Sequence, residues 1–326
     1  MMRRMIFVLI LSAVWTVAEG QEKDPILTVF WNLENFFDYQ DGGTSESDGE
    51  FSPQGSRRWT AKRFYYKCDL IAKSLCWMGD RYGRLPDVIG LAEIENMTVL
   101  KRLLSSTVLR KYDYRIIHRD SPDRRGIDVA LLYRKSIFDL IDTSFITPSF
   151  NEEEMATRDI LHARLQHTSD GVIYDFIVNH HPSKFGGSKE SMDRRSAAMQ
   201  TLCSICDSLI VKLTESYGGM ISMGDFNDTP DGSQFSLLKE RLINTCDDLF
   251  RKGEGTIRFE GKWDLIDMFW VSEAIYDGSD TEILRIPFLM TRERKHPGEK
   301  PLRTYSGPRY LGGVSDHCPI ILLFNQ

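Results

Sequence analysis

The stretch MGDFNDTP, residues 223–230, ends an apolar run with two polar side chains, Asp225 and Asn227. If the chain is extended here, both side chains point to the same side, because strand side chains alternate with a period of two. A carboxylate and an amide on one side could bind one ligand. The segment Asp-Thr-Pro-Asp-Gly follows at once, so the two residues could instead begin a turn. The octamer alone leaves both interpretations open.

Polar side chains also stand at or near the ends of several other apolar segments. They are Asn32, Glu34, Glu93, His180, Asp267, Asp316 and His317. Polar groups at the ends of buried strands usually meet at one edge of a sheet, where α/β enzymes place their sites. Each residue taken singly fits a structural hydrogen bond as well as a function. The whole set favours a single site.

The elements that would position these residues follow from hydrophobic patterning. Eight segments have the apolar character of buried strands: 26–33, 87–94, 114–118, 128–134, 172–181, 218–226, 263–272 and 319–324. Helical periodicity covers 60–77, 98–105 and 191–213. Helices interleaved with buried strands predict an α/β protein. Residues 40–58 and 291–313, rich in Gly, Ser, Pro and charge, are predicted surface loops around the strand ends.

The composition is that of a globular protein, with 41% hydrophobic and 27% charged residues among 326. The net charge of −6 argues against a dedicated nucleic-acid binder, which needs an excess of Lys and Arg, but leaves room for a local basic cleft. The six cysteines lack the paired spacing of a zinc ribbon. Cys203 and Cys206, three apart in a helical pattern, are predicted to pack in the core.

Residues 1–20 have the pattern of a secretory signal peptide. Arg3 and Arg4 precede an apolar run from Met5 to Val17, and small residues stand before Gln21. The alternative is a membrane anchor, but the run is shorter than the roughly 20 residues of a spanning helix. We therefore expect a soluble mature chain from residue 21 to residue 326, exported to the periplasm or secreted, without integral membrane association.

Seven motifs together resemble one superfamily. FWNLENFFD, LAEIEN, RRGIDVALLYR, VNHHPSKFGG, MGDFNDTP, WDLIDMFWVS and GGVSDHCPI occur in the order typical of endonuclease/exonuclease/phosphatase proteins, over about residues 26–324. This superfamily includes pancreatic-type deoxyribonucleases, abasic-site endonucleases, sphingomyelinases and inositol polyphosphate phosphatases, and the histidine motifs look most like exported bacterial members. The resemblance implies one four-layer α/β sandwich, with two sheets face to face and helices outside, and metal-dependent cleavage of a phosphoester.

The resemblance also implies a metal site. Glu93 is the first candidate ligand, and Asn32 and Asp316 match the other metal-site positions of the family. Oxygen ligands without a cysteine or histidine cluster suit a hard ion such as Mg²⁺, with Mn²⁺ or Ca²⁺ as alternatives. Glu34 stands where some members carry an acidic ligand and others do not, so its role stays open.

The remaining matches imply catalytic roles. Asp225 would orient and deprotonate the attacking water, while Asn227 would hold the phosphate or that water. In the family pattern His317 donates to the phosphate and is oriented by Asp267, and His180 is paired with Asp128; an acidic partner favours the charged imidazole. His181 should face away from the site, because it follows His180 on an extended strand.

The predicted function is that of an exported, Mg²⁺-dependent phosphodiesterase of nuclease type, acting as a monomer on a phosphoester, with nucleic acid as one candidate substrate. The alternatives are a phosphomonoesterase, a phospholipid or inositol-phosphate phosphatase, and a catalytically silent member that binds a phosphorylated ligand. Five basic residues could contact phosphates or could be ordinary surface charges: Arg124, Arg125, Lys184, Arg194 and Arg195.

Overall fold

The computed structural model describes residues 24–40, 42, 45–183, 188–210 and 216–325. Its strands are β1 (Ile26–Phe36), β2 (Val88–Ile94), β3 (Tyr114–His118), β4 (Asp128–Arg134), β5 (Phe138–Ile146), β6 (Ser149–Phe150), β7 (Glu153–Glu154), β8 (Ile160–His167), β9 (Ile173–His180), β10 (Tyr217–Asp225), β11 (Ile243–Asn244), β12 (Ile257–Phe259), β13 (Lys262–Asp264), β14 (Asp267–Val271), β15 (Ser279–Ile283), β16 (Met290–Arg292), β17 (Glu299–Pro301), β18 (Tyr305–Ser306), β19 (Arg309–Tyr310) and β20 (Ile320–Phe324). The helices are α1 (Ala61–Tyr82), α2 (Met97–Ser106), α3 (Ser188–Ile210), α4 (Asp247–Arg251) and α5 (Glu273–Tyr276). Single 3₁₀ turns cover Val108–Lys111, Ser233–Phe235, Leu238–Glu240 and Pro287–Leu289.

Two six-stranded mixed sheets form the centre of the molecule. The first sheet has the order β15-β20-β1-β2-β4-β3, and the second has the order β11-β14-β10-β9-β8-β5. Strands β1 and β2 are parallel in the first sheet, as are β9 and β10 in the second. The other neighbouring strands within the two sheets are antiparallel. In each parallel pair, the carboxyl ends of the two strands therefore lie at the same edge of the sheet.

The apolar alternation of β1 explains the layering. Val29 and Trp31 face a cluster shared with α1, whereas Phe30 faces the cluster between the sheets. The two sheets approach closely at Gly90, where a Cβ atom would lie 2.6 Å from the sulfur of Met223. With α1 and α2 covering the first sheet and α3 packing on the second, the chain is the predicted four-layer α/β sandwich.

Local sequence signals set the helix boundaries. Thr60 caps α1, its hydroxyl accepting a hydrogen bond from the Arg63 amide at 3.4 Å, and Gly83 ends the helix with φ 76°. Strands β3 and β4 have their predicted bounds. The predicted strand 263–272 is confirmed over residues 267–271, which join the second sheet as β14, but its start is wrong, because Trp263 and Asp264 pair with β12 in a separate hairpin.

The patterning missed four strands of the two sheets, β5, β8, β15 and the two-residue β11. Strands β5 and β15 lie at sheet edges, and much of β5 is exposed. Strand β8 carries buried His162 and His167 among its apolar residues. Their mixed composition hides them, because an edge strand or a strand with paired polar groups need not be uniformly apolar.

All six cysteines are free, and Cys203 and Cys206 pack in the core as predicted. Among the residues that the structure describes, no helix combines the length and apolar character needed to cross a bilayer. The predicted signal peptide at residues 1–20 lies outside the described residues.

Candidate active site

The polar strand ends meet at one edge shared by both sheets. In the second sheet, Asp225 stands opposite His180 on one side and opposite Asp267 on the other, because β9, β10 and β14 are neighbours in register. From the first sheet, the Asn32 amide donates to Asp225 Oδ2 at 3.0 Å, and His317 lies just before β20. The site therefore spans both sheets.

Asp225 is the centre of this arrangement. Its Oδ1 accepts a hydrogen bond from the Asn227 backbone amide at 2.9 Å. Its Oδ2 lies 3.7 Å from His180 Nε2 and 3.9 Å from His317 Nε2. These two distances exceed direct hydrogen bonds and leave room for a bridging group. Burial and the nearby Asp267 carboxylate raise the pKa of Asp225, against the opposing effect of His317, so Asp225 is a stronger base than an ordinary carboxylate.

Gly224 explains how the two parallel strands can approach so closely beside this carboxylate. A Cβ atom at position 224 would lie 2.4 Å from the backbone oxygen of Asn179 on β9. The site therefore requires glycine immediately before Asp225.

The expectation that Asp225 and Asn227 share one side of an extended strand is wrong. Strand β10 ends at Asp225, and Asn227 has φ 52°, in the left-handed region that asparagine tolerates. The Asn227 side-chain amide donates to the His181 carbonyl at 2.9 Å. Asn227 thus shapes the turn and supports Asp225 through its backbone N–H, so both interpretations of the octamer hold in part.

His317 and Asp267 form the pair that the resemblance implied. His317 Nδ1 donates to Asp267 Oδ2 at 2.8 Å, which leaves Nε2 facing Asp225. Burial alone lowers the pKa of His317, but the carboxylates of Asp267 and Asp225 together raise it well above the ordinary value. The imidazole is therefore oriented and charged at neutral pH, as a donor to an anion requires.

The predicted pairing of His180 with Asp128 is not formed. Asp128 Oδ1 accepts from the amide of Ser121 at 3.0 Å and from its hydroxyl, whereas His180 Nδ1 has no hydrogen-bond partner among the described residues. Burial, together with the charges of Arg158 and Arg125, lowers the pKa of His180 well below its ordinary value. His180 is therefore neutral, and the expectation of a charged imidazole is wrong.

His181 faces away from Asp225, as the strand alternation predicted. Its ring packs edge-on against Phe226 with centroids 5.0 Å apart. Burial and the charges of Arg158 and Arg195 lower the pKa of His181 to about 3. His180 is the histidine whose ring approaches Asp225 from this strand.

The three predicted metal ligands lie at the same edge, and protein groups hold each of them in place. Glu93 Oε2 accepts from the Asn35 amide at 2.7 Å, and Asn32 Oδ1 accepts from the Glu34 amide at 2.9 Å. Asp316 Oδ2 lies 3.1 Å from Arg303 Nη2. Glu93 Oε1 accepts no hydrogen bond from a described residue and lies 4.0 Å from His180 Nε2.

These oxygens fit a hard cation. Asp225, Asp267 and His317 form a compact group in which one ligand atom from each lies within 4.8 Å of the others. Among the described residues, Glu93 and Asp316 belong to no such group of three. Mg²⁺ suits the more widely spaced oxygens of Glu93, Asn32 and Asp316, because this ion commonly binds one or two carboxylates and keeps several water ligands. The carboxylate and amide oxygens of Glu93, Asn32 and Asp316 would hold such an ion.

The sequence left the role of Glu34 open, and the structure places it in a supporting network. Arg303 Nε and the Thr304 amide each donate to the Glu34 carboxylate at 2.8 Å. Burial and repulsion from Asp316 raise the pKa of Glu34 to about 8. Buried Lys67 donates to the Glu34 carbonyl at 2.7 Å and to the Thr304 hydroxyl at 2.9 Å. Sequence reasoning missed Lys67, whose charge on an amphipathic helix looks like an ordinary surface residue.

Backbone irregularity accompanies these side chains. Glu34, Asn35 and Glu93 have φ values of 47°, 50° and 63°. The pairing of β1 with β2 shifts register between Asn32 and Phe36, and the pairing of β2 with β4 shifts between Ala92 and Ile94. Such left-handed residues and bulges redirect side chains at strand ends and cluster at functional sites.

Comparison with known proteins agrees with this fold. The model of the Endonuclease/Exonuclease/phosphatase family matches residues 27–326. The fold is similar to the mannosyl-6-phosphatase of Bacteroides thetaiotaomicron, with TM-score 0.59, 17% identity and coverage of 92% of this chain and 100% of that one. The human Nocturnin catalytic domain with bound sulfate gives TM-score 0.57, 17% identity and 93% coverage of each chain. D. rerio TDP2 complexed with single strand DNA product gives TM-score 0.54, 14% identity and coverage of 93% and 100%. No curated protein matches the sequence.

Proposed function

The chain belongs to the endonuclease/exonuclease/phosphatase family, and from that premise we propose that it is an Mg²⁺-dependent hydrolase of phosphodiesters. One observation carries the proposal. The imidazole nitrogens of His180 and His317 lie 3.7 and 3.9 Å from a single oxygen of Asp225. A basic carboxylate beside a charged imidazole can accept a proton from water while the imidazole donates to a phosphoryl oxygen.

The residues of the chain have distinct tasks in this mechanism. Asp225, held by Asn32 and Asn227, accepts the proton of the attacking water. His317, oriented by Asp267, donates its Nε2 proton in a hydrogen bond to a non-bridging phosphoryl oxygen. A Mg²⁺ ion held by Glu93, Asn32 and Asp316 would supply charge neutralisation at the phosphate and the leaving oxygen.

The nearby arginines favour a diester over a monoester. Arg303 is paired with Glu34 and Asp316, and Arg125 donates to the Asn35 side chain at 2.6 Å near Glu93. These guanidinium groups are already partnered, whereas the His317 imidazolium, although bonded to Asp267 through Nδ1, has an Nε2 proton that donates to none of the described residues. One such charge with a divalent ion suits the single negative charge of a diester better than a dianionic monoester.

The similar structures support both chemistries, since one is called a mannosyl-6-phosphatase and another holds a DNA product. The test compares hydrolysis of bis-p-nitrophenyl phosphate and p-nitrophenyl phosphate, each with Mg²⁺ and with EDTA. We expect diester hydrolysis with Mg²⁺ and none with EDTA. A preference for the monoester would favour the phosphatase alternative, and binding without turnover would favour a silent member. A panel of DNA, RNA, phospholipids and inositol or sugar phosphates then identifies the substrate.

The N-terminal pattern supports export to the periplasm or the medium as a further part of this proposal, in which the enzyme acts as a monomer. Fractionation of the native source locates the protein, and light scattering gives its oligomeric state. Recovery in a membrane fraction with Met1 intact would support the anchor alternative.

A further inference from the structure

A second group of ligand-type side chains lies at the turn between β3 and β4. His118 is the last residue of β3 and Asp128 the first of β4, with Asp120 in the turn between them. One imidazole nitrogen and one oxygen from each carboxylate all lie within 4.8 Å of one another. This group shares no residue with the Glu93, Asn32 and Asp316 set.

The hydrogen bonds of His118 define its tautomer. Its Nδ1 lies 3.1 Å from the Val129 carbonyl oxygen, which can only accept, so Nδ1 carries a proton. Its Nε2 lies 3.1 Å from Asp120 Oδ1. If the imidazole is neutral, the lone pair of Nε2 faces the Asp120 carboxylate oxygen, and the two repel each other. A cation or a second proton between Nε2 and Asp120 Oδ1 would remove this repulsion. A ring N–H donated to a backbone carbonyl is the usual support of a metal-bound histidine.

Asp128 offers one further oxygen to this group. The residue is 2% exposed, and its hydrogen bonds, both from Ser121, go to Oδ1. Its second oxygen accepts no hydrogen bond from a described residue.

The group opens onto a cleft of about 380 Å³. Four carboxylates line this cleft, those of Glu95, Asp120, Asp123 and Asp128, against the one cation Arg124 among its lining residues. Asp123 is already paired with Arg158 at 3.1 Å. The wall is therefore negatively charged on the side of the His118 group and leaves space for further ligands.

We propose that His118, Asp120 and Asp128 bind one divalent cation of borderline softness, with Zn²⁺ as the representative ion. An imidazole with two carboxylates suits Zn²⁺ better than Mg²⁺, which prefers oxygen ligands alone. Three protein ligands leave a coordination position toward the cleft for water or for an oxygen of the substrate. This site is separate from the one in the proposed mechanism.

Zinc binding to the chelator-treated full chain tests the proposal directly. Equilibrium dialysis against Zn²⁺ in excess Mg²⁺, followed by metal analysis, compares the wild type with His118→Gln and Asp120→Asn. The matched control is His167→Gln, since His167 also pairs with an aspartate, Asp170 at 3.0 Å, but is in no such three-residue group of the described chain. Co²⁺ absorption spectra give a second readout of the ligand set.

We expect both His118→Gln and Asp120→Asn to bind Zn²⁺ at least about 10-fold more weakly at one site, while the control binds as the wild type does. The Asp120 side chain is 75% exposed, so Asp120→Asn leaves the fold intact even if His118→Gln does not. Equal stoichiometry and affinity in all four proteins would overturn the proposal and assign a protonated His118 instead, as would no Zn²⁺ binding by the wild type. The assay uses no substrate, so its failure leaves the proposed hydrolase untouched.

Discussion

Asp225→Asn separates the chemical role of the strand end from its structural role. The substitution preserves the size of the side chain and removes its charge and basicity. Asp225 accepts one hydrogen bond on each oxygen, from the Asn227 amide at 2.9 Å and from the Asn32 side chain at 3.0 Å. A carboxamide has only one acceptor oxygen, so one of these donors must lose its partner.

The expected cost in stability follows from that single loss. Rotation of the Asn32 side-chain amide cannot restore the lost hydrogen bond without breaking another. The Asn32 oxygen would move away from the Glu34 backbone N–H, which now donates to it at 2.9 Å. One unsatisfied buried donor costs about 1–3 kcal/mol, partly offset by removal of a buried charge. A domain is stable by about 5–15 kcal/mol, so the variant stays folded.

The expected effect on turnover is much larger than the effect on folding. Loss of a general base lowers kcat by about 10²–10⁴-fold, or about 3–5 kcal/mol in activation free energy. The assay measures kcat on bis-p-nitrophenyl phosphate at saturating Mg²⁺ and substrate, beside a thermal melt of each protein. Asp231→Asn is the matched control, because this exposed acid of the same turn accepts, within the described part of the chain, one hydrogen bond, from the Thr229 hydroxyl at 2.6 Å.

Near wild-type turnover would refute the reasoning. If Asp225→Asn keeps kcat within about threefold of the wild type, as the control should, then Asp225 accepts no proton and the turn interpretation suffices. A second check combines it with His317→Ala. The two losses should be less than multiplicative, since both residues serve one transition state.

Three further predictions use other parts of the chain. Glu93→Gln should reduce Mg²⁺-dependent kcat by at least about 10-fold without unfolding, because it removes charge but keeps an acceptor for the Asn35 amide; undiminished activity, or full activity in EDTA, would remove the metal assignment. Gly224→Ala should lower the free energy of unfolding by about 1–3 kcal/mol in urea titration, since its Cβ would press on the backbone of Asn179; an unchanged midpoint would contradict the close approach of the strands. N-terminal sequencing of native protein should begin at or near Gln21, whereas an intact N-terminus would contradict signal cleavage.

The sequence alone predicted the fold class and much of the element list. The apolar runs that became β3, β4 and β9, and the Thr60 start of α1, are local patterns that are visible in the sequence before the packing partners are known. The order of seven short motifs supported the family, which the match over residues 27–326 confirms. Period-two alternation also separated His180 from His181 correctly, because the pairing with β10 continues one residue beyond β9, where the His181 amide donates to the Asp225 carbonyl at 2.8 Å.

Where the chain leaves regular structure, the same reasoning failed. Asn227 stands just beyond the last strand residue and has a left-handed backbone, so alternation no longer applied to it. Glu93 lies at a register shift of β2, and its orientation depends on which strands flank it. A sequence pattern shows the period of a strand but does not show at which residue the strand ends or shifts register.

Only the tertiary structure decided which partner each polar group takes. Asp128 bonds Ser121 instead of His180, Glu34 is held by Arg303, and Lys67 is buried where its helical spacing suggests a solvated charge. The strength of a buried ion pair or hydrogen bond depends on distances of a few tenths of an ångström between residues far apart in the chain. Residue types determined the chemistry available to this protein, and the packing of two sheets against each other determined which of those groups meet.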